Sequence, residues 1–462
     1  MRDPTIETQK SRKIANVREL ALHILAAAEA RHRHVEDLLA GALKQHPDLP
    51  KNERGFLLEL VQGVKRWELR LDYTLSRLSS LPWRKVHPLV RQILRLAAYQ
   101  ILFLDKVPVH AAVDEAVKLA RARRLPQSHA GFINAVLRRL GRGDVPPLPQ
   151  VKEDPVAALA AASAHPAWLA ARWLSRYGFD ETQARLEANN QIPPLTVRVN
   201  TLKSDTHSLR ERLRREGVQA SPCRYSPVGL VFESMDRPPE SLPSFREGLW
   251  LFQDEAAQLT TCLLSVVPGQ RVLEIGAGRG GKTTHLGEML QNQGLIVAVD
   301  YHRRRLHSLR QNLKRWGLTC VQPLRADAAR PLPIKPDSLD AVLIDAPCSA
   351  LGIIRRHPEI KTRLQEADLA TFPPRQRQML DAAASLVKQG GRLLYITCTT
   401  EPEENENLVA GFLAGHSEYH LTNEPDLLPP PAREFLEAPG FFRTSPPLPG
   451  LDGFFAAMLV RG

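Results

Sequence analysis

Two cysteines stand where apolar runs end. In AVLIDAPCSALG (341–352) the run AVLI leads through Asp345 to Cys348, and in GRLLYITCTTEPEENEN (391–407) a similar run ends at Cys398. Such runs read as buried strands, which puts both thiols at strand mouths. A single cysteine is more often a small core residue, but two at adjacent strand mouths beside a ligand loop point to nucleophilic use. A thiolate forms covalent intermediates that split one difficult step into easier ones. A free thiol has a pKa of about 8.5, so lowering it to about 7 would raise the thiolate fraction roughly fifteenfold at neutral pH. Asp345, three residues before Cys348, is the carboxyl placed to hold a ring nitrogen and draw electrons toward it. Cys223, Cys262 and Cys320 lack such surroundings and read as structural.

The ligand loop is IGAGRGGKTTHL (275–286), which follows the apolar RVLEI and opens a helix. Gly276, Gly278 and Gly281 let the backbone turn tightly and approach a ligand, with Ala277, Arg279 and Gly280 completing the loop. The unpaired N–H groups of the helix start attract a carboxylate or phosphate. Lys282 either neutralises a cofactor carboxylate or lies in solvent. Asp300, ending the next strand, is placed to accept both hydroxyl protons of a ribose. Asp327 either accepts from an adenine amino group or caps a helix. A nucleoside-type ligand is expected, but the spacing does not separate NAD from S-adenosyl-L-methionine.

The elements that position these residues fall into three regions. Residues 1–143 form an all-α domain: VRELALHILAAAEA, RGFLLELVQGVKRWELRLDYTL, HPLVRQILRLAAYQILFL and VHAAVDEAVKLARAR carry apolar residues at helical spacing. Pro88 near one helix start and Pro108 between two others punctuate the pattern. Residues 144–164, including DVPPLPQVKEDP, read as an extended linker. Residues 165–250 form a small α+β unit with an extended PPLTVRVNTLK (193–203). Residues 251–462 alternate strands (271–276, 295–300, 339–346, 391–398) with helices (KTTHLGEML, RRRLHSLRQNLKRW, RQRQMLDAAASLVKQ). This is the pattern of an α/β Rossmann-like domain with a mainly parallel sheet, whose ligands bind at the carboxyl ends of the strands.

Composition narrows the class. The 462 residues suffice for two or three domains, and 43% hydrophobic with 24% charged residues describes a soluble globular chain. Five scattered cysteines make no disulfide framework and no zinc motif, so no metal and a reducing cytoplasm are expected. The opening MRDPTIETQKSRKIANVREL holds no uninterrupted apolar segment and no signal peptide is expected. No apolar run reaches the roughly 18 residues of a membrane span. Residues 1–150 carry 26 Lys/Arg against 15 Asp/Glu, most of the net charge of +12. A basic module joined to a nearly neutral one suggests a polyanionic partner.

Beyond these readings, residues 165–462 resemble the RNA 5-methylcytosine methyltransferases. The resemblance rests on RVN (198–200), QDEAAQL (253–259), GGKTTHL (280–286), DAPCSALGIIRRHPEIK (345–361), TCTTEPEENE (397–406) and DGFFAAML (452–459). Residues 12–140 resemble the NusB-like RNA-binding fold in VHAAVDEAVKLA and GFINAVLRRL, and the fusion is similar to the bacterial 16S rRNA enzymes of the Sun/Fmu (RsmB) type. The resemblance implies that residues 251–462 bind S-adenosyl-L-methionine through residues 276–282, Asp300, Asp327 and Asp345. It also implies that Cys398 attacks carbon 6 of a cytosine and that Cys348 assists product release. Adding a thiolate at carbon 6 makes carbon 5, otherwise a poor nucleophile, able to attack a methyl sulfonium. The family loop usually reads Asp-x-Cys-Ala-Ala-Pro-Gly-Gly-Lys, whereas here Glu274 replaces the Asp, and Gly276, Gly278 and Arg279 replace Cys, Ala and Pro.

The implied partner is RNA, as free 16S rRNA or an early small-subunit particle, with no membrane and a monomeric enzyme. The target cytosine must be unpaired or extruded. Arg355, Arg356 and His357 border an RNA groove or form a salt-bridged loop, and the Glu-rich PEENEN either fixes the cysteine loop or opens a solvated helix. Three other readings are a tRNA cytosine methyltransferase, a non-catalytic RNA-binding or antitermination factor, and an NAD-dependent oxidoreductase. Neither of the last two accounts for paired thiols with Asp345.

Overall fold

A computed structural model describes residues 16–31, 34–235, 237–448 and 450–462. Most of the opening stretch read for a signal peptide lies outside these residues. The chain forms two compact units: one holds residues up to Asn190 together with His357–Arg363, the other Gln191–Arg356 and Leu364–Gly462. Among the described residues no helix is long and apolar enough to cross a membrane.

The first unit is helical, as the apolar spacing implies. Helices Val17–Arg31, Val35–Gln45, Lys51–Leu78, Pro88–Phe103, Val109–Ala122 and Gln127–Gly141 enclose a core that includes Leu57, Leu60, Leu71, Ile93, Leu94, Ile133 and Leu137. Pro88 occupies the first turn of its helix and Pro108 precedes another, where a missing N–H costs nothing. The long helix also buries charge: Arg95 grips Asp72 through two hydrogen bonds of 2.7 and 2.6 Å and reaches Glu68 at 2.9 Å.

The expected linker is extended only in its first half. Residues 155–163 are a helix, because Pro155 opens it, Asp154 accepts from Ala157 N at 2.8 Å, and the segment PVAALAAAS is rich in the best helix former. The helices Ala167–Tyr177 and Phe179–Ala188 group with the first compact unit. Side-chain bonds to backbone explain this: Arg70 donates to Ala162 O at 3.0 Å and Asn190 to Ser163 O at 2.7 Å.

The second unit carries two sheets. The smaller is antiparallel, built from β1 (Leu195–Val199), β2 (Gln219–Pro222), β3 (Gly229–Ser234) and β4 (Trp250–Phe252) in the order β2-β3-β1-β4. Val197 and Val199 join its core, and Arg198, by strand alternation, faces the other way.

The larger sheet contains β5 (Arg271–Ile275), β6 (Leu295–Asp300), β7 (Val321–Arg325), β8 (Leu339–Asp345), β9 (Val387–Thr397), β10 (Tyr419–Leu421), β11 (Leu436–Glu437), β12 (Phe441–Thr444) and β13 (Phe454–Arg461). Its order is β11-β12-β13-β9-β8-β5-β6-β7, with β10 also pairing β13. Strands β5 to β9 run parallel, and β10 to β13 are antiparallel additions. From β5 the chain winds outward to β6 and β7, then returns to β8 on the other side. A crevice opens at such a reversal, at the carboxyl ends of the strands.

Candidate active site

The glycine loop lies at that reversal. Gly276 follows β5 with φ +83°, and a Cβ there would lie 2.2 Å from the Asp345 carbonyl oxygen, so glycine is required where the backbones after β5 and at the end of β8 meet. The N–H groups of Gly276 and Ala277 donate to Val299 O at 2.9 and 3.0 Å. Asp300, buried at the end of β6, accepts from Gly278 N at 3.0 Å and His302 N at 2.7 Å. Gly280 and Gly281 open the helix Gly281–Met289, while Arg279 is exposed and its carbonyl accepts from Asn312 at 2.9 Å.

Lys282 is not in solvent. It is buried, donates to Asp345 Oδ2 at 2.7 Å, and lies 5.5 Å from the centre of the Phe454 ring. Asp327 accepts from Ala329 N and from Arg375, each at 3.2 Å. A turn rather than a helix follows it, which corrects the helix-cap alternative. Glu274, the acid that departs from the family pattern, is buried beside Thr283 and Lys282. Burial pushes its carboxyl up to about 7.

The strand mouths bring the two thiols together. Cys348 Sγ lies 3.3 Å from Cys398 Sγ, and Cys398 N donates to Cys348 Sγ at 3.4 Å. The Cys398 thiol is pushed well above its ordinary value by its bond to Cys348, by burial and by the Asp345 charge, with Lys282 opposing. A second sulfur and a carboxylate thus crowd the Cys398 thiol, the opposite of the lowering that would favour a thiolate. Cys262 and Cys223 are likewise pushed up by burial, and Cys320 is buried, in keeping with packing roles.

The acidic segment after Cys398 fixes both cysteine loops. Glu401, Glu404 and Asn405 are buried rather than solvated. Glu404 Oε2 accepts from Ser349 N at 3.0 Å and Gln376 Nε2 at 2.9 Å, and its other oxygen accepts from the Ser349 hydroxyl. Asn405 donates to Thr399 O at 3.0 Å and accepts from Thr397 at 2.6 Å. On the far side of the Cys348 loop, Gly352 N donates to Cys398 O at 3.0 Å and Gly453 N to Gly352 O at 2.8 Å. A Cβ on Gly352 would sit 2.2 Å from Gly453 O, so the terminal DGFF segment clamps the loop.

Two arginine sets complete the scaffold. Arg198, fully buried, donates to Gly281 O and Thr284 Oγ1 at 2.6 Å, to Glu288 at 2.8 Å and to Gln253. The small sheet thus holds the helix that follows the glycine loop. Arg355 donates to Asp452 at 2.6 Å, and Arg356 to Asp254 at 2.7 Å and to Asp452. These two form the salt-bridged loop, not a groove border. His357 lies in the first unit with Nδ1 3.8 Å from Glu359. Arg198 escaped the residue-by-residue reading. Its only signal was its place in the RVN motif.

Comparison with known proteins gives this geometry a family. Residues 15–142 match the NusB family, 165–236 the ferredoxin-like domain of RsmF/B-like methyltransferases, and 261–460 the 16S rRNA methyltransferase RsmB/F family. The probable ribosomal RNA small subunit methyltransferase B of Bacillus subtilis is 33% identical over 457 residues, covering 97% of this chain and 99% of that one. The Pseudomonas putida ribosomal RNA small subunit methyltransferase B is 36% identical over 450 residues, covering 95% and 98%. Among solved structures, PH0851 is similar across 98% of this chain and 100% of its own, with a TM-score of 0.83 and 28% identity. NSun6 from Pyrococcus horikoshii, solved with SFG, shares the fold over 65% of this chain and 99% of its own, with a TM-score of 0.56 and 23% identity. The chain belongs to the RsmB-type family of ribosomal RNA small subunit methyltransferases, enzymes dependent on S-adenosyl-L-methionine.

Proposed function

We propose that this enzyme methylates carbon 5 of an unpaired cytosine in 16S rRNA through a covalent bond between Cys398 and carbon 6 of the base. The observation that carries the reading is the 3.3 Å sulfur–sulfur approach of Cys348 and Cys398, next to an Asp345 paired with Lys282 at 2.7 Å.

The residues present suit the cofactor. Asp300 is a buried carboxylate at a strand end, Gly276 leaves a cradle that a side chain would fill, and the loop to Lys282 offers N–H groups at a helix start. Asp300 would hold the ribose, Asp327 the adenine amino group, and the residues from Gly276 to Lys282 the amino-acid end. When bound, S-adenosyl-L-methionine supplies an electrophilic methyl group.

The chain does the rest. Asp345 would take the thiol proton of Cys398 and pass it to the ring nitrogen, which draws electron density there and opens carbon 6 to attack. With its proton gone to Asp345, the Cys398 sulfur bonds carbon 6 and raises electron density at carbon 5. After methylation, water takes the proton from carbon 5, the bond from carbon 6 to sulfur breaks, and the departing thiolate recovers the proton held by the ring nitrogen. Cys348, in contact with the departing sulfur, serves that release.

Bisulfite sequencing of 16S rRNA and tRNA, after reaction of the enzyme with free RNA or with small-subunit particles, tests the reading. One modified cytosine in 16S rRNA, lost with Cys398→Ala, is expected. A methyl group elsewhere on the base, modification confined to tRNA, or retained turnover in that variant would overturn it.

A further inference from the structure

Outside the active site, the described residues contain one three-member cluster of metal-ligating side chains: His34, His357 and Glu359. All three belong to the first unit. His34 Nδ1 lies 3.2 Å and His357 Nδ1 3.8 Å from the same oxygen, Glu359 Oε1, and the three ligand atoms lie within 4.8 Å of one another. The imidazole rings meet edge-on, with centroids 6.1 Å apart and planes inclined at 69°. We propose that these three side chains bind a divalent transition-metal ion of the zinc class.

Zinc binds His nitrogen and carboxylate oxygen at about 2.0–2.2 Å, so tetrahedral ligand atoms stand roughly 3.3 Å apart. The two His-to-Glu separations, 3.2 and 3.8 Å, bracket that value. Two imidazoles with one carboxylate select zinc, cobalt, nickel or copper over magnesium or calcium, which prefer all-oxygen ligands. Burial agrees with the assignment. The Glu359 side chain is 4% exposed, so its charge needs a cation, whereas His34 is 55% exposed and leaves the fourth position open to water.

The local backbone agrees as well. His34 occupies the N-cap position of helix Val35–Gln45, yet its side chain makes no cap bond and turns to Glu359. An ion here would join segments 325 residues apart in sequence. A clip across so long a loop stabilises by removing freedom from the unfolded chain. That separation is also why no sequence motif announces the site.

The test is a zinc titration of metal-stripped, reduced full-length protein with Cys348 and Cys398 both changed to Ser, which removes the paired thiols while Cys223, Cys262 and Cys320 stay in parent and variants alike. Bound zinc is counted after gel filtration, and thermal unfolding is followed with and without zinc. One zinc per chain and a rise in melting temperature are expected, with both lost in His34→Ala, whose exposed side chain is not needed for folding. Glu359→Gln should weaken binding at least tenfold. Failure of the parent protein to bind micromolar zinc, or an unchanged stoichiometry in His34→Ala, would overturn the site.

Discussion

At the scale of single residues, the Cys398 thiol is pushed up chiefly by its neighbour Cys348. Removing that neighbour should lower the Cys398 pKa and speed its alkylation. Peptide-mapped iodoacetamide labelling of the free enzyme at pH 7–8 should therefore run several-fold faster at Cys398 in Cys348→Ala. A rate equal to or below that of the parent would contradict the electrostatics. Glu274 gives a second prediction. Its ordinary value near 4.5 is raised to about 7 by burial, so the folded state holds its proton more tightly than the unfolded chain does. The stabilising contribution is complete below about pH 4.5 and disappears as pH rises through 7. Glu274→Gln should remove this loss, on the order of 2–3 kcal/mol. Urea melts at pH 5 and pH 8 check it, and parallel changes in both proteins would rule it out. Cys348, Cys398, Asp345 and the loop glycines were legible because each sits where an apolar run stops. The raised thiol was not, because it depends on how closely two chain segments approach. Nor was the Lys282–Asp345 pair.

At the scale of elements, the site depends on backbone that must pass close to backbone. Gly276→Ala forces a side chain onto the Asp345 carbonyl at φ +83°. It should abolish S-adenosyl-L-methionine binding in calorimetry, and binding within twofold of the parent would show that the cradle is not essential. Arg198→Met leaves Glu288 buried without its cation, which should cost about 3–5 kcal/mol in denaturant unfolding. A loss below about 1 kcal/mol would mean that the remaining bonds from Trp316 and Thr201 satisfy Glu288. The parallel strands β5, β6, β8 and β9 could be read from sequence because central strands are continuous apolar runs. One strand went unread, and one helix was read too long. FFAAMLVR lacks the alternation that marks a half-buried strand, yet it forms β13, paired on both sides and buried through Leu459. The helix read as RQRQMLDAAASLVKQ ends at Ala384, because Val387 pairs with Leu339 and starts β9.

At the scale of the whole molecule, the helical and α/β halves were both legible, one from 3.6-residue periodicity and the other from strand–helix alternation. The unit boundary was not. It falls at Asn190, and the seven residues His357–Arg363 return to the first unit, a crossing no local pattern encodes. The basic charge of residues 1–150 calls for phosphate contacts. If roughly 6–10 phosphates are neutralised, affinity for 16S rRNA should fall by about three to five orders of magnitude between 50 and 200 mM salt. A flat response in filter binding would remove the basic module from RNA recognition. The chemistry itself is tested most directly by trapping. Cys348→Ala, incubated with 16S rRNA and S-adenosyl-L-methionine, should give a protein–RNA adduct that survives denaturing gels. After nuclease and protease digestion, mass spectrometry should find a methylated cytidine on the peptide containing Cys398. Normal turnover with no adduct, or a nucleotide attached to any other residue, would contradict the account.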